Sequence, residues 1–317
     1  MPVGRVVVDH KPICYRRNGQ ASVKLYVFRL ARVRFETERQ HKMNDSILAD
    51  SVDALAARIP DGTKLALFKD CGVPMALGHA LIRRGARGLH VITVPTGGIL
   101  PDLLIGAGCV DTIETAGVSL GEFGLAPRFV DAVKNGKLRI LDATCPAIYA
   151  GLQAGEKGIP FMPLRGLIGS DILTNRPDIV VIDNPFADDD PIVALPAIRP
   201  DAAMFHVPCA DRAGNLYIAR QAELKIMAHA ARQTFVTAEA IVDFNILERE
   251  ELAAASISSL YVSGIAEAPK GSWPLNLPGH YESDAAALAD YARAAATAEG
   301  FRAYLDEHVF NAAGVAA

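Results

Sequence analysis

Residues 64–115 decide the fold, and they read KLALFKDCGVPMALGHALIRRGARGLHVITVPTGGILPDLLIGAGCVDTIET. Three short apolar runs have the length and composition of buried strands, and these are Lys64–Phe68, Leu89–Val94 and Val110–Thr115. The segments between them have the apolar period of helices, and the first begins at Pro74 and ends at Gly85. This alternation predicts a parallel sheet with helices packed on both of its faces.

The alternation continues downstream, with a helix over 127–134, a strand over 138–141, a helix over 146–156 and a strand over 159–163. The second half is richer in strand candidates, which are residues 179–182, 192–195, 203–207 and 216–218, with a hairpin turn at 211–215. A strand is expected over 260–265, and helices over 284–297 and 299–308 close the chain. We therefore expect one α/β domain over residues 43–317, with an open, mostly parallel sheet and a more β-rich second half.

The composition excludes several classes of protein. Of the 317 residues, 50% are apolar and 21% are charged, which supplies a sizeable core and excludes wholesale disorder. The net charge of −4 excludes a basic nucleic-acid-binding footprint over the whole protein. No apolar run approaches the roughly 18 residues of a membrane-spanning helix. The five cysteines are widely spaced without a CxxC pair, which argues against a disulfide scaffold and a structural zinc site and favours the cytoplasm.

The first 42 residues differ from the rest, because they carry ten Lys and Arg against three Asp and Glu. They lack the uninterrupted apolar run and the small-residue cleavage site of a signal peptide. A transit peptide is a second interpretation, although serine is scarce. The third, which we favour, is that translation starts at Met43 and residues 1–42 are a leader outside the fold. A helix over 46–58, with Asn44 or Asp45 as its N-cap, would then follow.

Three loops after predicted strands are candidate functional sites. The first is Phe68-Lys69-Asp70-Cys71-Gly72, which leads into a helix N-terminus. Backbone N–H groups in such a loop can receive a carboxylate or a phosphate, and Lys69 can add positive charge. An ordinary strand-to-helix connection explains the same residues, and the loop is not a P-loop because the chain contains no GxxxxGK[ST].

The second and third loops carry glycines beside polar groups. Gly97 and Gly98 can let a substrate approach the backbone closely, but without GxGxxG they do not indicate a dinucleotide site. Ser119 and Glu122 follow the third strand, and Glu122 stands between glycines, where it can serve as an acid, a base or a nucleophile. A surface turn carrying a solvated glutamate explains this third loop equally well.

Other polar residues have ordinary structural interpretations. Cys71 and Cys145 lie near strand ends, and His79 or His90 could pair with them, but no spacing matches a thiol enzyme, so buried apolar cysteines are expected. His206 in an apolar strand is interpreted as a core or edge residue. The run 188–190, three aspartates without EF-hand spacing, is interpreted as a solvated loop, and we expect no metal.

Short motifs then occur in a characteristic order between residues 61 and 309. They are VPMA at 73–76, LIRR at 81–84, LLIGAG at 103–108, ET at 114–115, VSL at 118–120, FG at 123–124, GLQA at 151–154, GIPFMPLRG at 158–166, GSD at 169–171 and EAP at 267–269. The ordered set covers nearly all of the chain after the leader. It resembles the A (alpha) subunit of family I CoA-transferases, of the glutaconate CoA-transferase type.

The resemblance implies an open α/β fold that pairs with a homologous B subunit, with the active site between the two. It implies that a glutamate on the B chain attacks an acyl-CoA thioester and passes CoA to a carboxylic acid through a glutamyl-CoA thioester. The CoA thioester is then a substrate, and no tightly bound cofactor is expected. The loops of the A chain shape the acyl pocket, so the expected substrate-binding residues are Phe68, Lys69, Asp70, Cys71, Gly72, Gly97, Gly98 and Ser119. We assign no nucleophile in this chain, and Glu122 is the only weak candidate.

The chain departs from the family pattern in two places. Where the family shows a Gly-Gly-Phe-like run before the first loop, only Phe68 matches, and Asp70-Cys71-Gly72 replace the usual basic residues. A related branch, ring-opening hydrolases of steroid-derived CoA thioesters, uses a glutamate in the region of residues 142–145, where no glutamate stands. The transferase subunit is therefore the leading hypothesis. The alternatives are a non-catalytic scaffold subunit and a subunit of a CoA-thioester hydrolase.

Overall fold

The computed structural model describes residues 47–69 and 71–311. The predicted leader and the start at Met43 lie outside these residues and stay predictions. The residues Asn44 and Asp45 lie outside them as well, but the helix that they are predicted to cap begins only at Val52. Asp70 of the first candidate loop also lies outside them.

The described chain alternates strands and helices from its beginning. The strands are β1 (Lys64–Phe68), β2 (Leu89–Val94), β3 (Val110–Thr115), β4 (Arg139–Asp142), β5 (Phe161–Leu164), β6 (Val180–Asp183), β7 (Pro191–Pro196), β8 (Ala202–Val207), β9 (Cys209–Asp211), β10 (Leu216–Tyr217), β11 (Gln233–Ala238), β12 (Ile241–Val242), β13 (Ser256–Ile257) and β14 (Gly264–Glu267). The helices are α1 (Val52–Ala56), α2 (Met75–Arg84), α3 (Ile99–Gly106), α4 (Pro127–Lys134), α5 (Cys145–Glu156), α6 (Ile172–Asn175), α7 (Ala222–Ala230), α8 (Glu250–Ala253), α9 (Ala285–Ala294) and α10 (Ala298–Leu305).

Seven parallel strands form the main sheet in the order β14-β11-β8-β1-β2-β3-β4. The strand order changes direction at β1, because β2 to β4 follow on one side while β8 to β14 lie on the other. Parallel α/β sheets bind ligands outside the carboxyl ends of their strands at such a switch point. The crevice between the ends of β1 and β8 is therefore the first place to look for a site.

Helices cover both faces of this sheet, as predicted. On one face, residues of α2, α3, α9 and α10 such as Leu81, Leu103 and Tyr291 pack with Leu65 of β1. On the other face, residues of α5 and α7 pack with side chains of β2 and β8, including Phe205. Each fully buried aliphatic side chain stabilises the fold by about 1.5–3 kcal/mol, so these two cores hold the strand ends in fixed positions.

Two smaller sheets make the second half more β-rich, as expected. Strands β12, β9, β10 and β13 form one of them, and it contains the predicted hairpin around residues 211–215. Strands β5, β7 and β6 form an antiparallel sheet of three strands, whose inner face packs around Leu167 and Val193. None of the helices in the part of the chain that the structure describes is both long and apolar enough to cross a membrane.

Two predicted elements differ from the structure. The helix predicted over 46–58 is wrong in its first half, because Leu48 forms a parallel bridge with Ile265, and the helix begins only after Ser51. The Ser51 side chain accepts a hydrogen bond from the Ala54 amide at 3.1 Å, and so it is the N-cap. The strand expected over 260–265 begins later, at Gly264, because residues Ser259–Tyr261 form a 3-10 turn.

Candidate functional site

The carboxyl edge of the main sheet brings together three of the predicted loops. Lys69 follows β1, Gly97 and Gly98 follow β2, and Ser119 follows β3. Because β1, β2 and β3 are adjacent and parallel, their carboxyl ends meet at one edge. Loops that are well separated in the sequence thus share one surface at the switch point.

Backbone hydrogen bonds join the second loop to the third. The Gly97 amide donates to the Gly117 carbonyl at 2.8 Å, and the Ser119 amide donates to the Gly97 carbonyl at 3.0 Å. Below them, the hydroxyl oxygens of Thr93 and Thr115 lie 2.6 Å apart, and both threonines are buried. These bonds fix the backbone of the two loops before any ligand arrives.

The Lys69 side chain lies over the N-terminus of α3. A Cβ placed on Gly98 would be 3.4 Å from the Lys69 Cγ, so the lysine stem crosses the glycine directly. Gly98 is the N-cap residue and has no side chain to satisfy the first turn, so the amides of Ile99 and Leu100 have no partner within the helix. A positive charge beside amides that have no partner within the helix, at the positive end of a helix dipole, can hold an anion.

Gly72, at the end of the first loop, is packed against β8 and is buried. Its carbonyl accepts a hydrogen bond from the His206 amide at 2.6 Å, and its φ of +64° is in the left-handed region. A Cβ at this position would lie 2.4 Å from the His206 carbonyl oxygen and 2.8 Å from the Gln221 Oε1. Only glycine fits here without a shift of the backbone, so the first loop rests on the neighbouring strand.

A polar cluster that the sequence analysis missed lies behind this loop. His206 is fully buried, and its Nδ1 and Nε2 lie 2.9 Å from Thr237 Oγ1 and 3.1 Å from Glu239 Oε2. The Tyr281 hydroxyl donates to Glu239 Oε2 at 3.3 Å, and the Lys270 amide donates to Glu239 Oε1 at 2.8 Å. The prediction that His206 is a satisfied core residue is correct, but its partner Glu239 is a half-buried carboxylate at the same edge.

Burial perturbs two members of this cluster. It lowers the pKa of His206 to about 4 despite the opposing effect of the Glu239 carboxylate, so the ring is neutral at pH 7. A neutral ring beside a carboxylate donates from Nε2 and accepts the Thr237 hydroxyl at Nδ1. Burial also raises the pKa of Tyr281 to about 12, which keeps its hydroxyl a donor. Sequence offers no signal for this cluster, because its members come from separate elements without a motif.

Glu122 is fully exposed in the 3-10 turn Gly121–Phe123. The turn is held by Ser119, whose Oγ accepts a hydrogen bond from the Gly121 amide at 3.1 Å. The geometry therefore matches the interpretation of a surface turn carrying a solvated glutamate.

The cysteine predictions are partly wrong. Cys145 is exposed at the start of α5, where it follows the N-cap Thr144 and the edge strand β4 of the main sheet. Cys71 is half-buried and packs beside the core that contains Phe68. Neither cysteine is therefore fully buried.

A second buried cluster lies under the end of β4. The Arg176 guanidinium bonds to Glu114 Oε1 at 3.0 Å, to Asp178 Oδ2 at 2.7 Å and to the Asp142 carbonyl at 3.0 Å. Lys64 borders the same cavity of about 100 Å³ and lies 3.7 Å from Glu114. The cluster ties β3, β4 and the segment before β6 together, so it holds the start of α5 in place.

The aspartate run 188–190 lies in a loop that is held by an ion pair. Asp190 Oδ1 accepts a hydrogen bond from Arg165 Nε at 2.8 Å, which helps to lower the Asp190 pKa to about 2. Within residues 47–69 and 71–311, no group of three or more His, Cys, Asp or Glu side chains is arranged to hold a metal ion.

Comparisons with known proteins agree with this architecture. The model of the coenzyme A transferase family matches residues 49–268. The chain is 32% identical over 241 residues to the A subunit of the 3-oxoadipate CoA-transferase of Pseudomonas knackmussii, covering 75% of this chain and 84% of that one. The crystal structure of glutaconate coenzyme A-transferase from Acidaminococcus fermentans superimposes with a TM-score of 0.78 at 26% identity, covering 84% of this chain and 89% of the other.

A further relative has a different activity. The chain is 28% identical over 241 residues to the cholesterol ring-cleaving hydrolase IpdA subunit of Rhodococcus jostii, covering 73% of this chain and 81% of that one. The predicted resemblance and the predicted fold class are both confirmed by the family match and by the structural superposition. With its parallel sheet and its ordered motifs, this chain belongs to the coenzyme A transferase family.

Proposed function

We propose that this chain is the A (alpha) subunit of a heteromeric acyl-CoA:carboxylate CoA-transferase, and that its partner is a homologous B subunit. One observation carries the proposal. The Lys69 side chain lies beside Gly98 and the first amides of α3, at the carboxyl edge of the sheet. The relatives named as A subunits support a two-subunit enzyme. The cysteines in the described residues form no disulfide, which supports the cytoplasm as the compartment.

In this proposal, the edge stabilises negative charge that develops during acyl transfer. Attack on a thioester places negative charge on its carbonyl oxygen, and donors that are already oriented lower the barrier. Lys69 and the first amides of α3 are such donors, and Gly98 leaves room for the lysine stem to cross the N-terminus of α3. Phe68, Asp70, Cys71, Gly72, Gly97 and Ser119 are proposed to shape the same pocket.

The proposed reaction passes through covalent intermediates on the partner. A glutamate carboxylate on the partner chain attacks the thioester carbonyl, which gives a mixed anhydride and the CoA thiolate. The thiolate attacks the glutamyl carbon of the anhydride, which forms a glutamyl-CoA thioester and releases the donor acid. The acceptor carboxylate then repeats the two steps in reverse and leaves with CoA.

An apolar surface supports the presence of a partner chain. The outer face of the three-stranded sheet carries Phe161, Pro163, Ile182 and Ile192, which line a groove of about 470 Å³. Phe186 beside the groove is 94% exposed. Antiparallel sheets on the surface usually present polar side chains to water, so an apolar outer face is typical of a protein that associates with another chain.

The proposal is tested on the complex purified from the native cells. Native mass spectrometry should show a second chain of similar size, and the complex should exchange labelled CoA between an acyl-CoA and a free carboxylic acid. After incubation with acyl-CoA alone, the partner chain should gain the mass of CoA less one water. A complex that contains only this chain, or one that exchanges no CoA, would refute the transferase assignment.

A CoA-thioester hydrolase, of which this chain would be one subunit, is the second candidate, and the similarity to the cholesterol ring-cleaving hydrolase subunit favours it. Hydrolysis needs water alone, whereas transfer needs an acceptor acid. Release of free CoA at the same rate with and without acceptor would therefore support the hydrolase. A scaffold subunit predicts that Lys69→Met leaves turnover of the complex unchanged.

A further inference from the structure

Glu239 bonds to three segments that surround the first candidate loop. It accepts hydrogen bonds from His206 in β8, from the Lys270 amide and from the Tyr281 hydroxyl, with donor–acceptor distances of 2.8–3.3 Å. Tyr281 in turn accepts a hydrogen bond from the Ser272 amide at 3.1 Å. One carboxylate thus connects β8 to the turn 268–273 and to the segment around residue 281.

Two of these segments, β8 and the turn 268–273, support the loop directly. The His206 amide holds the Gly72 carbonyl at 2.6 Å, and the Ser272 hydroxyl donates to the Val73 carbonyl at 2.8 Å. The Ala76 amide donates to the Gly271 carbonyl at 3.0 Å. The backbone from Gly72 to Ala76, where the loop enters α2, is therefore anchored through the groups that Glu239 ties together.

The packing leaves little freedom in this arrangement. A Cβ on Gly271 would lie 2.7 Å from both Cε1 and Nδ1 of the His206 ring, so the turn rests on the imidazole. His206 and Ser272 are fully buried. A carboxylate that already accepts three hydrogen bonds is held in place by its donors and is not free to attack a substrate, so Glu239 is suited to anchor its neighbours.

We propose that Glu239 is a positioning residue, which through its bonds to His206, Lys270 and Tyr281 holds the end of the first loop, the backbone of residues 72–76, in the geometry that acyl transfer needs. This inference rests on the proposed function, because it concerns the loop that is assigned to the acyl pocket. Glu239 acts through the loop and contacts no reacting atom. Displacement of a positioned group by about 1 Å can cost on the order of 10²-fold in rate.

The test compares Glu239→Gln with Glu156→Gln in the full complex with its partner subunit. Glu156 is a matched control, because it also pairs with a histidine, His229, at 3.3 Å, but it lies at the last position of α5, far along that helix from the carboxyl edge. Glutamine keeps the size of the side chain but places an amide N–H₂ against one of the donors that face Glu239. Tyr281→Phe removes the hydrogen bond to Glu239 and the one from the Ser272 amide but leaves the bonds of Glu239 to His206 and Lys270 in place. It serves as a milder variant if Glu239→Gln folds poorly.

Two measurements are made on each variant. Hydrogen exchange should become faster in the peptides that contain Ala76, Lys270 and Ser272 for Glu239→Gln, and it should stay unchanged there for Glu156→Gln. In the transfer assay, kcat should fall about 10- to 100-fold for Glu239→Gln, with a KM for acyl-CoA changed less than about threefold. Tyr281→Phe should show the same pattern with a smaller loss, and Glu239→Asp, which keeps the charge, should recover part of kcat.

Unchanged exchange around Ala76 would overturn the structural part of the proposal. Faster exchange with an unchanged kcat in an active complex would overturn the functional part, because the loop would then move without consequence for transfer. If the wild-type complex transfers no CoA, the proposed function fails, while the exchange data still decide whether Glu239 anchors the loop.

Discussion

Replacement of Gly72 by alanine should lower the free energy of unfolding more than the same replacement at other glycines with a left-handed backbone. A residue with a Cβ in the left-handed conformation costs roughly 1–2 kcal/mol. At Gly72, where φ is +64°, the added Cβ would also lie 2.4 Å from the His206 carbonyl oxygen, which belongs to the backbone of a central strand. Overpacking of this kind costs typically about 1–3 kcal/mol, so Gly72→Ala should lower the free energy of unfolding by roughly 2–5 kcal/mol.

Gly85 supplies the matched control, because it has nearly the same backbone conformation without the contact. Its φ is +73°, it ends α2, and a Cβ placed on it would meet no atom within 4 Å. Gly85→Ala should therefore cost only the conformational part, roughly 1–2 kcal/mol. The difference in the free energy of unfolding between the two variants therefore measures the effect of the contact between the loop and β8.

The assay is urea unfolding of both variants beside the wild type, followed by CoA transfer with the partner subunit. Gly85→Ala should keep full turnover, whereas Gly72→Ala should lose at least about tenfold in kcat, because its loop must move by several tenths of an ångström. Equal stability losses and equal turnover for the two variants would refute the argument that Gly72 rests on the neighbouring strand.

Three further predictions concern the surroundings of this loop. Lys69→Met should lower kcat/KM for transfer by about 10- to 100-fold without a change in the free energy of unfolding, as steady-state kinetics and urea unfolding would check, and an unchanged kcat/KM would remove Lys69 from the site. Arg176→Met should lower the free energy of unfolding by up to about 3–5 kcal/mol, because the buried Glu114 carboxylate loses its hydrogen-bonded partner and keeps only the longer contact of 3.7 Å to Lys64. A loss below about 1 kcal/mol in urea unfolding would contradict this. Burial lowers the pKa of three histidines to about 4, and these are His79, His90 and His206. Between pH 6.5 and 4, these histidines bind protons in the unfolded protein but not in the folded protein, so the free energy of unfolding should fall as the pH drops through this range. Urea unfolding at several pH values would check this, and a free energy of unfolding that does not change with pH would contradict it.

The strands and helices of the first half could be predicted closely from the sequence. Leu89–Val94, Val110–Thr115 and Pro127–Lys134 have the bounds that the apolar patterns and turn residues indicate. A glycine, proline or asparagine lies within two residues of each end of these elements, and such residues favour turns and helix ends. The first helix failed because Leu48 has helical spacing to later apolar residues, while a bridge to Ile265, more than 200 positions away, determines its conformation.

One part of the candidate site could also be predicted from the sequence, and another part could not. The meeting of Lys69, Gly98 and Ser119 follows from the order of parallel strands, since the loops after neighbouring strands share one edge. The bonds of Glu239 to His206 and Tyr281 connect positions 33 and 42 residues apart, and no spacing rule relates them. Tertiary packing alone brings these polar groups together, and their burial is what makes their hydrogen bonds necessary.

Under the proposed function, the chemistry of this edge calls for a second chain in acyl transfer. The edge offers a lysine and free amides, which stabilise negative charge, but nucleophilic attack needs a carboxylate held close to them. Among the described residues of the loops at this edge, Glu239 is occupied by three hydrogen-bond donors and Glu122 is exposed in a surface turn. Neither carboxylate is both unoccupied and held beside Lys69. A nucleophile supplied by a second chain would complete the site, and a complex in which this chain alone gains the mass of CoA would show that the argument is wrong.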